Sequence, residues 1–180
     1  MGRKGATLAA AGADVLRTAK SLCIDTMLAQ PQVCVHRDFH CRNLLFNANQ
    51  LGVVDFQDAL IGPSLYDIAS LLRDCYYRHD ESKIDHYLQL FLQHSPHFDA
   101  AEFIAVKRAF DLTAIQRQVK ALGIFARLHL RDGKSSHLVW LPPVLQNLLM
   151  LARRYPETES LSHLLNAIHQ PLTDKLATLL

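Results

Sequence analysis

Along the first thirty positions the apolar residues recur at helical spacing. Leu8, Val15, Leu16, Leu22, Ile24, Met27 and Leu28 stand among alanines and polar residues, which predicts a helix over residues 8–29. Gly12 weakens its start and Pro31 ends it. The period then shortens. Val33-Cys34-Val35, Leu44-Leu45-Phe46 and Leu51-Gly52-Val53-Val54 predict short strands at about 33–35, 44–46 and 51–54, with Asn47-Ala48-Asn49-Gln50 as the turn between the last two. From Pro63 onward the helical period returns. Ile68, Leu71, Leu72 and Cys75 mark one face; Ile84, Tyr87, Leu88, Phe91 and Leu92 a second. Phe103, Val106, Phe110, Ile115, Val119, Leu122 and Phe125 run through a third, longer stretch. Pro142-Pro143 suits the start of a helix carrying Val144, Leu145, Leu148 and Leu149, and Leu161, Leu164, Leu165 and Ile168 mark the last. Aromatics at these spacings read as core. The pattern predicts an α+β fold, a small β-hairpin carried on a mainly helical domain. Residues 1–30 form an N-terminal helical segment and 31–180 the principal lobe.

Polar residues interrupt the β-rich stretch in a definite order. His36-Arg37-Asp38-Phe39-His40-Cys41-Arg42-Asn43 separates two strands, and Asp55 closes the hairpin that follows. A solvated hairpin loop is the plain reading of any one of these acids. An Asp and an Asn five apart, β-rich flanks and a second Asp behind a hairpin together point instead to phosphoryl transfer. That chemistry needs an acceptor held in line, a carboxylate to receive the hydroxyl proton, and a cation to spread charge. Asp38 fits the base, Asn43 and Asp55 fit oxygen ligands for Mg2+ and the nucleotide phosphates, and His36 and Arg37 fit supporting places ahead of the base.

At these residues the chain resembles the aminoglycoside phosphotransferase and choline kinase family, which has a protein-kinase-like fold and phosphorylates small-molecule hydroxyls. His36 to Asn43 is similar to its catalytic loop, and Asp55-Phe56-Gln57 to its metal-binding Asp, with Gln where protein kinases usually carry Gly. Gly62-Pro63-Ser64-Leu65-Tyr66-Asp67-Ile68-Ala69 resembles the start of the helix that follows. Gln116 to Arg127 and Arg131-Asp132-Gly133-Lys134 resemble one branch, the bacterial kinases acting on the anomeric hydroxyl of N-acetylmuramate and N-acetylglucosamine in cell-wall recycling. The resemblance covers about residues 28 to 155. It implies ATP and Mg2+ as cofactors, an amino sugar as acceptor, and Asp67 as a brace for the catalytic loop. It also implies an N-terminal lobe with a glycine-rich phosphate loop and a strand Lys paired with a helix Glu. Gly2-Arg3-Lys4-Gly5 and Gly12 form no such loop, and neither Lys4 nor Lys20 lies in a strand context. The chain therefore reads as a C-terminal lobe with its ATP lobe absent: a truncated product, one piece of a split enzyme that needs a partner chain, or a non-catalytic binding module. A protein kinase is disfavoured, because the twelve residues from Asp55 to Asp67 leave no room for a peptide-binding activation segment.

Composition narrows the partners. The 180 residues are 49% apolar with a formal net charge of +2, which fits a packed domain rather than disorder. The basic residues are scattered, without the run expected of a nucleic-acid arm. No apolar run reaches membrane-spanning length. Met1 to Ala11 loosely imitates a signal peptide, but Asp14 and Arg17 cut its apolar part short, so a cytoplasmic protein is expected. Cys23, Cys34, Cys41 and Cys75 form no Cys-x-x-Cys pair and read as buried free thiols in a reducing compartment; Cys41, in the loop, reads as a spacer. The ten histidines form no zinc pattern. Four charged residues on helices are candidates for the sugar. Arg73 and Asp74 either shape the acceptor site or merely pair on the surface; Arg117 and Lys120 either steer an anionic sugar or lie on a solvated face.

Without a wall to hold the adenine and β-phosphate, electrostatic positioning of the phosphates is lost. The 180 residues by themselves are therefore expected to turn over ATP no faster than their Asp38→Asn variant. They should also elute larger than a monomer on sizing, since bare strand edges and apolar patches seek partners. Robust phosphorylation of N-acetylglucosamine or N-acetylmuramate by the isolated monomer would overturn this expectation.

Overall fold

A computed structural model describes residues 3–178; Met1 and Gly2, in the signal-like stretch, lie outside the described residues. The chain is mostly helical, with two small antiparallel sheets. It divides into two units, one of Asp25–Ala114 and one of the residues up to Ile24 together with those from Ile115 on. Two helices, α1 (Arg3–Leu28) and α4 (Phe103–Asp132), contribute to both. None of the described helices is long and apolar enough to cross a membrane.

In the unit of residues 25–114, α1 ends one turn before Pro31 and β1 (Gln32–Val35) follows. The residues of the loop and a short 3-10 turn (Cys41–Asn43) lead into the hairpin of β2 (Leu44–Asn47) and β3 (Gln50–Val53). Ala48 and Asn49, at φ 45° and 64°, make the tight two-residue turn whose twist suits a hairpin. Sequence reading omitted β4 (Leu60–Pro63), which pairs antiparallel with β1 from Gln32↔Pro63 to Val35↔Leu60. Four residues containing Gly and ending in Pro carry little strand signal, and only the partner in β1 makes them a strand. Gly62 is required there, because a Cβ would stand 2.8 Å from Val35 Cγ2. The edge of β1 expected to be bare is thus paired on one side, and Val35 is buried.

Behind these strands lie α2 (Tyr66–Leu72), α3 (Glu81–His94) and the first part of α4. Leu65, Ala69, Leu72, Ile84, Leu88, Leu92, Val106 and Phe110 are buried at helical spacing and form the core of this unit. Gln30, buried just past α1, donates from Nε2 to Thr113 Oγ1 at 3.0 Å and accepts the Leu65 N–H at 3.1 Å on Oε1. One amide side chain thereby pairs with buried polar groups of two other segments.

The same unit encloses a charge cluster. Arg73, at the end of α2, is buried, and its guanidinium forks onto both oxygens of Glu81 and reaches Asp111 Oδ1 at 3.0 Å. Lys107 Nζ lies 3.1 Å from the same Asp111 oxygen and 3.3 Å from Asp85. Asp111 is 0% exposed, so it is the shared counter-ion of two cations.

In the second unit, α5 (Leu141–Ala152) begins with prolines in its first turn, and α6 (Glu159–Ala177) passes through Pro171. Gly133, at φ 65°, lies just past the end of α4, where a side chain would strain the left-handed backbone. Leu138, Leu141, Val144, Leu145, Leu148, Leu151, Leu161 and Leu165 are buried here.

Removing Asp111 takes the shared acid from buried Arg73 and half-buried Lys107, which keep Glu81 and Asp85 as partners. Asp111→Ala is expected to cost about 1.5–3 kcal/mol, the worth of a charge-assisted hydrogen bond, in urea unfolding followed by circular dichroism. A loss below about 1 kcal/mol, the range of exposed pairs, would show that the cluster is not buried as described.

Candidate functional site

The loop after β1 is held from behind by one carboxylate. Asp67, in the first turn of α2, accepts the His36 backbone N–H at 2.6 Å on Oδ2 and the Arg37 backbone N–H at 3.0 Å on Oδ1. Arg37 stands at φ 77°, a left-handed conformation that costs a non-glycine residue of order 1–3 kcal/mol. Two hydrogen bonds to a charged acceptor, at about 1.5–3 kcal/mol each, are enough to hold it. The strained backbone turns the chain sharply out of β1, and Asp38 comes next.

Asp38 is half-buried, and among the described residues nothing hydrogen-bonds its carboxylate. Its backbone is fixed instead. The Asp38 carbonyl accepts the His40 N–H at 3.1 Å and Asn43 Nδ2 at 2.9 Å. Asn43 Nδ2 also points to Asp55 Oδ2 at 3.3 Å. Asp55 follows β3 by two residues and adopts φ 69°, a conformation Asp tolerates better than most side chains. Its other oxygen, Oδ1, accepts from Gln57 Nε2 at 2.8 Å. The loop is tied to the segment between β3 and β4 twice more, by Val54 N–H to the Asn43 carbonyl at 3.1 Å and by Arg37 Nη1 to the Asp58 carbonyl at 3.1 Å. His36 Nε2 lies 2.9 Å from the Val54 carbonyl, an acceptor only, so Nε2 carries the proton. Asp38, Asn43 and Asp55, separated by up to seventeen residues in sequence, thus share one hydrogen-bonded cluster.

The donor set suits a hard divalent cation. Both protons of Asn43 Nδ2 face protein oxygens, which turns Oδ1 away from them, and Asp55 is an exposed carboxylate beside it. One carboxylate and one amide oxygen match what Mg2+ takes from a protein when phosphates and water supply the rest. Among the described residues no group of three His, Cys, Asp or Glu side chains is placed to hold a metal.

The phosphotransferase enzyme family model matches residues 3–104, more than half of the chain. The chain belongs to this phosphotransferase family. Among curated proteins it is similar to the N-acetylmuramate/N-acetylglucosamine kinase of Neisseria meningitidis serogroup B, 42% identical over 145 residues, which are 77% of this chain and 42% of that protein. The proteins of the same name from Pseudomonas putida and Pseudomonas aeruginosa are 40% and 36% identical over 147 and 157 residues, which cover 43% and 45% of their lengths. The chain spans less than half the length of these curated relatives.

In this phosphotransferase chain the remaining candidates fall into three places. Asp74, buried behind the 3-10 turn, accepts the Cys41 N–H at 3.1 Å and the Tyr76 N–H at 2.9 Å. It braces the second half of the loop as Asp67 braces the first. Arg73 is directed into the cluster with Glu81 and Asp111. Arg117 and Lys120 lie on α4 in the other unit, Arg117 half-buried and Lys120 exposed. Partial burial of the sulfur, together with the neighbouring Asp74 carboxylate, pushes the Cys41 thiol up to about 11, so it stays protonated near neutral pH.

Sequence reading assigned no role to Gln57, although it stands only two residues beyond the acid it holds. It also missed Tyr76. The Arg42 guanidinium stacks 3.5 Å from the centre of the Tyr76 ring, and the His40 ring meets the same ring edge-on at 5.6 Å. Thirty-four residues separate Arg42 from Tyr76, and no local pattern announces the pair.

Asp67→Ala should release both N–H groups it holds. Hydrogen exchange at His36 and Arg37 is expected to accelerate by at least about tenfold, from the loss of charge-assisted bonds of about 1.5–3 kcal/mol. Exchange at the core amide of Leu88 should rise less. Unchanged protection at His36 and Arg37 would remove Asp67 from its bracing role.

Proposed function

We propose that this chain is the catalytic lobe of an ATP-dependent kinase that phosphorylates the anomeric hydroxyl of a cell-wall amino sugar, N-acetylmuramate or N-acetylglucosamine. Residues 31–180 are the lobe and residues 1–30 the helical segment that leads into it. The observation that carries the reading is the unbonded Asp38 carboxylate, fixed by its backbone beside Asn43 and Asp55. A carboxylate with no partner among the described residues is free to take a proton from an acceptor hydroxyl. The names of the curated relatives supply the sugar, and the family supplies the reaction class.

The chemistry follows from the residues. The acceptor oxygen forms a bond to the γ-phosphorus, the bond from that phosphorus to the ADP oxygen breaks, and the hydroxyl proton passes to an Asp38 oxygen. Asn43 Oδ1 and the Asp55 carboxylate would hold Mg2+, which offsets charge on the phosphate oxygens when bound. Gln57 and Asn43 keep Asp55 aimed. His36 and Arg37 act at second hand: His36 joins the loop to the Val54 carbonyl just past β3, and Arg37 joins it to the Asp58 carbonyl. Asp67 and Asp74 hold the loop from the helical side. A loop fixed at this many points loses little order when the sugar and nucleotide meet, which favours positioning as the main source of rate.

In any form of the protein that turns over, Asp38→Asn should lower kcat by about 10²–10⁴, the usual worth of a general base, with a smaller change in KM for the sugar. Asp55→Ala should abolish magnesium-dependent nucleotide binding in calorimetry while circular dichroism is unchanged. Near-normal turnover by Asp38→Asn, or an unaltered magnesium titration in Asp55→Ala, would each refute the role concerned.

A further inference from the structure

We propose that the unit containing the second part of α4 holds a separate binding site, an apolar cavity that takes a free monocarboxylate with a medium-length acyl chain. The cavity measures about 240 Å³. Its body is apolar, formed by Leu16, Ala19 and Cys23 of α1, Ile115 and Val119 of α4, and Leu161 of α6. Burial pushes the Cys23 thiol up to about 11, in keeping with a dry wall. Lys20 and Lys120 also line it; both are exposed, and no acidic side chain lines the cavity beside them.

This pairing of surfaces selects the ligand. A sugar would meet almost no hydrogen-bonding groups on the walls and would lose its water without replacement. A neutral alkane would leave the two ammonium groups unused. A cation would be repelled by them. An acyl chain fills the apolar body, and its carboxylate reaches the lysines, whose long stems keep the charge at the wet side of the cavity. Gln116 also lines the cavity. The residues of this site belong to one unit and include none of the loop from His36 to Asn43.

The test is calorimetry on the full 180-residue chain with octanoate, 1-octanol and octylamine. Octanoate is expected to bind about tenfold more tightly than octanol, from two partly exposed charge contacts worth about threefold each, and octylamine more weakly than either. Lys20→Met and Lys120→Met should each weaken octanoate about threefold and leave octanol unchanged. Ala19→Phe fills the cavity and should abolish both. Because that variant strains a packed helix face, the unaltered chain provides a second reading: nuclear Overhauser contacts from octanoate should fall on the methyl groups of Ile115 and Leu161. Octanol binding as tightly as octanoate, indifference of octanoate to both lysine variants, or contacts to other methyl groups overturns the proposal. Binding to phosphatidylglycerol vesicles that both lysine variants lose, without octanoate binding, also overturns it and assigns the lysines to a lipid surface.

Discussion

Two backbone N–H groups, those of His36 and Arg37, both point at the Asp67 carboxylate, and much of the site depends on that contact. It holds Arg37 at a φ that an isolated chain would leave, and the resulting turn delivers Asp38. From Asp38 the order propagates by short steps. The Asp38 carbonyl holds Asn43, Asn43 holds Asp55, and Gln57 holds the far side of Asp55. None of these links is a large energy by itself. Their effect is geometric, since each fixes the atom on which the next depends.

Asp67 must itself be still, and the core of its unit provides for that. The buried Leu65, Ala69 and Leu72 anchor α2, while Gln30 ties the residue just ahead of it to α1 and α4. Arg73, at the other end of α2, is locked by Glu81 of α3 and Asp111 of α4. Such a buried cluster is no guarantee of stability compared with apolar packing, but breaking it is costly. It therefore serves better as a register device, fixing α2 against α3 and α4. The hairpin of β2 and β3 contrasts with this. Leu45, Phe46, Leu51 and Phe56 are all exposed, with Phe46 at 74%. The site thus has a rigid floor built from helices beneath a hairpin whose apolar side chains remain open.

Much of this was legible in the order of residues. Local spacing located the helices, because an apolar face at a period of 3.6 is a property of a single segment. The turn at Ala48 and Asn49 and the stop at Pro31 are local for the same reason. β4 was not legible, since Leu60-Ile61-Gly62-Pro63 becomes a strand only against β1, some thirty residues away. α1 also begins earlier than its weak start around Gly12 suggested, at Arg3. There the cost of one glycine, about 1 kcal/mol, is outweighed by the length of the helix around it.

The candidate chemistry divides in the same way. The sequence by itself determined which groups are present, the Asp-Asn spacing and the later Asp, because reactivity resides in side-chain type and short-range order along the loop. What Arg73 and Asp74 do was decided by the tertiary structure. Adjacent in sequence and equally suited to a sugar, they point to different partners: Arg73 into a buried ion cluster and Asp74 onto the N–H groups of Cys41 and Tyr76. The same holds for Arg42 stacking on Tyr76, and for Lys20 meeting Lys120 at one cavity. A charged side chain carries no record of its counter-ion, and only folding, which brings distant segments together and removes water, decides which one it meets.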